Sequence, residues 1–77
     1  MTREEKMDTV NRIIAKNIRM QRLLKKLSQK QLAYKTGMDQ SSVARIESCK
    51  RKVLADELTL FAEVLQINLD DLLKMSE

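Results

Sequence analysis

Apolar side chains return every three or four positions along most of this chain, and a few polar residues interrupt them. Val10, Ile13, Ile14, Ile18, Met20 or Gln21, and Leu24 trace a helical stripe over residues 8–25, with Lys16, Arg19, Arg22 and Lys25 mostly away from it. Ser28-Gln29-Lys30-Gln31 fits a capping box, in which the Ser28 hydroxyl accepts from the Gln31 backbone and the Gln31 side chain reaches back to Ser28. The second helix that starts there turns Leu32 and Ala33 inward. It stops at Thr36-Gly37, where glycine takes the left-handed conformation at little cost. Asp39 is placed to cap a third helix, supplying an oxygen to its free amides and a negative charge to its dipole. Val43 and Ile46 repeat at three residues along it and leave Gln40, Ser41, Ala44, Arg45 and Ser48 pointing outward. A basic loop, Cys49-Lys50-Arg51-Lys52, follows. A fourth helix carries Leu58, Phe61, Ala62 and Leu65 with Asp56 and Glu57 in its first turn, and Asn68 caps a short fifth whose Leu69, Leu72 and Leu73 face the core.

Composition sharpens this into an all-α expectation. The chain has 77 residues, 43% hydrophobic but only 3% aromatic, with no Trp and no Pro. Leu, Ile, Val, Met and Ala must build one modest core, which suits packed helices better than strands. There are no repeats, low-complexity tracts or linkers. Residues 1–12 read as a detachable N-terminal extension of the first helix, and residues 13–77 as the domain.

Charge is distributed unevenly. The formal net charge is +4, but residues 12–52 hold twelve Lys and Arg against Asp39 and Glu47. Residues 53–77 hold Lys74 against six acids. A block this positive attracts polyanions, and nucleic acid is the partner it favours.

Other chemistries find little to build on. One cysteine, Cys49, forms no internal disulfide, and with no histidine there is no zinc site. The pattern calls for no metal and no cofactor. The charged N-terminus and the lack of a long apolar run argue against a signal peptide and a membrane span, so a reducing cytoplasm is the expected location. No glycine-rich phosphate loop and no nucleophile with a base beside it supports an enzyme. Asp70 and Asp71 are adjacent, so on a helix they diverge instead of converging on a substrate.

Two short helices joined by a three- or four-residue turn with glycine form a helix-turn-helix. Ala33 is small enough for the helices to approach, Gly37 permits the turn, and Leu32, Met38, Val43 and Ile46 bury the inner faces. Residues 14–73 resemble the lambda-repressor and Cro-like helix-turn-helix domain, the XRE family. The resemblance is carried by Ile18-Arg19 and Arg22, Leu27-Ser28-Gln29, Leu32-Ala33, Gly37, Ser42-Val43, Ile46-Glu47 and Leu69-Asp70-Asp71-Leu72-Leu73, in order and at the expected spacing. It implies a compact five-helix lambda-repressor-like fold with helices two and three as the helix-turn-helix. Glycine is usual in that family where Lys26 and Cys49 stand, and proline at Val53. A left-handed Lys26 would cost about 1 kcal/mol relative to glycine.

The resemblance also implies a sequence-specific DNA-binding transcriptional regulator, a repressor, with the third helix (residues 40–48) in the major groove. Gln40 is the candidate reader of adenine, whose N7 and N6 match its amide. Ser41 contacts either base type, Ala44 a thymine methyl, and Arg45 guanine or a phosphate. In similar phage repressors the glutamine matching Gln29 binds a phosphate and braces the one matching Gln40. Phosphate anchoring is expected from the amides at the start of the second helix and from Lys30, Ser42, Lys50, Arg51, Lys52 and Arg19. Arg22 and Glu47 match a pair that forms an internal salt bridge in the family, so Glu47 is read as structural. Tyr34, a lone aromatic, reads as a surface or edge-packing residue.

A pseudo-palindromic duplex operator and a homodimer complete the expectation, with the dimer contact around Leu69 to Met75 or, alternatively, at Met7 and Val10. The rival readings on the same fold are an antitoxin neutralising a toxin partner and a restriction-modification controller protein.

Overall fold

A computed structural model describes residues 2–75 as five helices in chain order: α1 Arg3–Leu24, α2 Gln29–Thr36, α3 Gln40–Glu47, α4 Ala55–Leu65 and α5 Leu69–Leu73. There is no strand among the described residues. α1 packs against α3, α4 and α5, while α2 packs against α3 and α4. Ile14 and Ile18 from α1, Leu32 and Ala33 from α2, Val43 and Ile46 from α3, Phe61, Ala62 and Leu65 from α4, and Leu72 from α5 share one core. Phe61 is the one large aromatic inside it, so aliphatic packing carries most of the burial.

α1 begins five residues earlier than its apolar stripe suggests. Thr2 caps it, its hydroxyl accepting from the Glu5 amide at 3.1 Å. The buried face is also rotated from the expected one. Ile14, Ala15, Asn17, Ile18 and Arg22 point inward, whereas Val10, Met20 and Leu24 are exposed. The reason is polar. Asn17 donates to the Leu72 and Lys74 carbonyls at 3.0 and 2.7 Å, closing the end of α5, and Arg22 finds a carboxylate inside. Paired polar groups hold positions on that face that apolarity alone assigns elsewhere.

Two caps differ from expectation. Asp39 has the extended N-cap backbone but its side chain makes no cap hydrogen bond, leaving only its charge near the α3 dipole. At α5 the Asn68 side chain likewise makes none; instead Asp71 accepts from the Asn68 backbone N–H at 3.2 Å. Leu69 and Leu73, expected in the core, are more than two-fifths exposed, and Leu72 alone anchors the short helix.

Left-handed residues close the turns after the first four helices, whereas α5 runs out into extended backbone at Lys74. Gly37 has φ 72°, and Lys26, Cys49 and Gln66 adopt φ 59°, 64° and 58° without glycine's freedom. The three non-glycine turns cost about 1–2 kcal/mol each. Lys26 thus takes the backbone expected of it, and the Leu27 amide behind it closes on the Arg22 carbonyl at 3.0 Å.

Candidate nucleic-acid interface

The interface begins at Ser28. Its hydroxyl accepts from the Gln31 amide at 3.0 Å, and Gln31 Oε1 accepts from the Ser28 amide at 2.7 Å, so both halves of the capping box form. At the other end of α2, the Gly37 and Met38 amides close on the Tyr34 and Ala33 carbonyls at 3.3 and 3.0 Å. Thr36 is buried and its hydroxyl also bonds back to the Leu32 and Ala33 carbonyls. The chain leaves this turn in a fixed direction and enters α3 at Gln40.

Val43 and Ile46 are almost wholly buried, and they set the roll of α3. That roll leaves Gln40, Ser41, Arg45 and Ser48 exposed, with Ser42 and Ala44 half-buried. The strip is polar to cationic, because the one carboxylate of the helix is turned away. Glu47 Oε2 and Oε1 accept from Arg22 Nε and Nη2 at 2.7 and 2.9 Å, and Arg22 Nη1 donates to the Leu27 carbonyl at 2.8 Å. Hydrogen bonding to Glu47 raises the already high pKa of Arg22, outweighing the opposing effect of burial. Arg22 therefore stays charged, and its two bonds hold it aligned with the Glu47 carboxylate.

Gln29 joins the same network, its Nε2 donating to Glu47 Oε1 at 3.1 Å. No hydrogen bond links Gln29 to Gln40 among the described residues. Gln29 thus stands at Glu47, seven residues along α3 from the glutamine it was expected to brace.

Beyond α3, Arg51 is bound by Glu57 through bonds of 2.8 and 2.7 Å and also donates to the Lys52 carbonyl. Glu57 accepts in turn from the Leu54 amide at 2.9 Å, which ties the loop to the first turn of α4. Arg51 hydrogen bonds hold the Glu57 carboxyl below its usual range. A phosphate would therefore have to compete with Glu57 for Arg51. Lys30, Lys50, Lys52 and Arg19 are exposed and form no ion pair among the described residues. Tyr34 projects from α2 almost fully exposed.

Sequence reasoning missed Asn17 and the pinning role of Glu57. Neither partner lies where a local pattern reports it: Asn17 bonds carbonyls more than fifty residues away.

A family model described as helix-turn-helix matches residues 18–72. The chain belongs to the helix-turn-helix family. It is a DNA-binding transcriptional regulator whose partner is double-stranded DNA. It is similar to the crystal structure of a hypothetical transcription factor, NHTF, from Neisseria, with 26% identity, a TM-score of 0.81, and coverage of 84% of this chain and 75% of that one. It is also similar to the restriction-modification controller protein C.AhdI from Aeromonas hydrophila, with 31% identity, a TM-score of 0.76, and coverage of 80% and 94%. No curated protein matches the sequence. No described helix is long and apolar enough to cross a membrane.

Proposed function

We propose that this helix-turn-helix regulator is a cytoplasmic repressor that binds a pseudo-palindromic operator as a homodimer and lays α3 in the major groove. Gln40 reads adenine, Arg45 guanine, Ser41 a neighbouring base and Ala44 a thymine methyl. Lys30, Ser42, Lys50, Lys52 and Arg19 hold phosphates, with Arg51 and Gln29 available once they exchange a bond from Glu57 or Glu47. Residues 13–77 form the binding domain, and residues 1–12 extend α1 from it. The observation that carries the reading is the outward strip of α3: two buried aliphatics and one inward-tied glutamate leave only neutral or cationic groups on it.

Dimerisation follows from the short reach of one recognition helix, since two half-sites roughly 34–36 Å apart specify far more sequence than one. Leu69, Leu73 and Met75 present exposed apolar surface at the end of the chain, in keeping with pairing there. Val10, at the alternative position, is also exposed, and the Met7 side chain lies outside the described residues. The similarity to C.AhdI favours a second reading, a restriction-modification controller protein. Co-purification with a second small protein would mark an antitoxin instead.

Selection of binding sites from random duplex DNA tests the proposal. Enrichment of two inverted half-sites one helical turn apart is expected. No enrichment at low ionic strength would sink it.

A further inference from the structure

Met20, Leu23 and Leu24 stand outside the core, 38%, 51% and 67% exposed. Their spacing of i, i+3 and i+4 gathers them into one apolar patch over the last turns of α1. An open groove of about 390 Å³ runs beside this patch, between α1 and the end of α3. Ala15, Met20 and Leu23 line it with apolar surface, and Glu47 and Cys49 close its α3 side. Arg12, Lys16 and Arg19 stand along its α1 rim, where the helix rises about 16 Å from Arg12 to Leu23. These three cations are exposed and form no ion pair among the described residues. Glu47, the one carboxylate lining the groove, is already committed to Arg22.

We propose that this groove docks an acidic amphipathic helix of a partner protein. A single exposed leucine needs no partner, but adjoining apolar groups rimmed by charge mark an interaction surface. An incoming helix with apolar side chains at i, i+3, i+4 and i+7 covers Met20, Leu23 and Leu24. Carboxylates flanking that stripe meet Arg12, Lys16 and Arg19. Other occupants fit less well. Duplex phosphates answer the cations but leave the leucines wet. A second copy presenting the same face by two-fold symmetry sets Arg12, Lys16 and Arg19 against themselves. The acidic end of a second copy offers α5, whose five residues make about 8 Å of helix for a groove twice as long. Arg12 and Lys16 have no part in the DNA-binding mode proposed above, so the inference stands independently of it.

The probe is a fluorescein-labelled peptide of about 18 residues, long enough to form a helix, with leucine at i, i+3, i+4 and i+7 and glutamate or alanine elsewhere. Its anisotropy is followed as the full chain is added, and saturable binding is expected. A second peptide with glutamine in place of each leucine should bind at least about tenfold more weakly, because apolar burial adds to charge. Leu23→Glu should weaken binding of the leucine peptide by at least about tenfold and Lys16→Glu by about threefold. Lys35→Glu, an equal charge reversal on α2, should leave it unchanged. Urea denaturation verifies that each variant is folded. Equal binding of the two peptides, or equal losses in Lys16→Glu and Lys35→Glu, would reduce the groove to net charge and overturn the proposal. Failure of the leucine peptide to bind overturns it too, and a duplex salt slope lower by about 1 in Lys16→Ala then assigns the rim to DNA. Sedimentation of Leu23→Glu should show the same species as the unaltered protein. A shift to a smaller one would assign the groove to a second copy of the chain instead.

Discussion

Arg22 on α1 grips Glu47 on α3 through two nearly parallel hydrogen bonds while its third nitrogen holds the Leu27 carbonyl. One guanidinium therefore fixes the end of α3 relative to the turn that starts α2. Both side chains are at least nine-tenths buried, so the pair is a matched desolvated unit and each half is a liability without the other.

Replacing Glu47 with Ala should accordingly lower stability by about 3–5 kcal/mol, the usual result of stranding one buried charge. A domain of this size has only about 4–12 kcal/mol in total, so the variant should approach unfolding at 37 °C. Urea denaturation at neutral pH measures the loss. A change under about 1 kcal/mol would mean that water reaches Arg22 and the pair is surface-like.

Gln40→Ala addresses reading instead of stability. Gln40 is exposed on the outer strip of α3, so the fold should be unaffected while binding to the selected operator weakens by about 1–3 kcal/mol and base choice at one position relaxes. Competition binding with scrambled duplex decides it. Equal losses on both duplexes would make Gln40 a positioning residue.

Neighbouring cations after α3 should behave differently. Lys50→Ala should weaken binding to every duplex alike and reduce the salt slope by about 1. Arg51→Ala should change the slope less, because its guanidinium is already held by Glu57, and should instead loosen the loop. Binding titrations across a range of salt concentrations test both variants. A larger slope change for Arg51 than for Lys50 would show that DNA displaces Glu57.

The elements that local chemistry governs were legible in the sequence. Ser28 and Gln31 form their capping box within four residues, Gly37 ends α2 by its own backbone freedom, and Val43 with Ile46 sets a face by spacing alone. Where the partner is distant, the pattern misled. Asn17 reads as a polar interruption of a helix, yet it is buried because α5 ends on its amide. Arg51 reads as one of a run of cations, but Glu57, six residues on, turns it into a loop strut. Gln66 carries no sign of its left-handed backbone, which the path from α4 to α5 imposes. The outward residues of α3 are intermediate: spacing places them outside, as the structure does, but spacing alone names no base.

Acid should expose the strut. Glu57 has its carboxyl held below the ordinary range, first by hydrogen bonding to Arg51 and then by the Leu54 amide and the charge of Arg51, against an opposing effect of burial. Asp71 is lowered in the same direction by Lys74 and the Asn68 amide. A carboxyl with a depressed folded-state pKa binds protons less readily than its unfolded counterpart. Its stabilisation is complete above the unfolded value, near 4.3 for glutamate on the usual scale (about 3.9 for aspartate), and disappears as pH falls through the folded value. Urea midpoints should therefore stay level from pH 7 to about 5.5 as far as these groups are concerned, then decline through the acid range. Glu57→Gln removes its share of that titration, so the variant should be less stable than the unaltered protein at pH 7 and the difference should shrink in acid. A gap that held constant from pH 7 to pH 3 would show that Glu57 supports the loop by packing and neutral hydrogen bonds, with its charge contributing nothing.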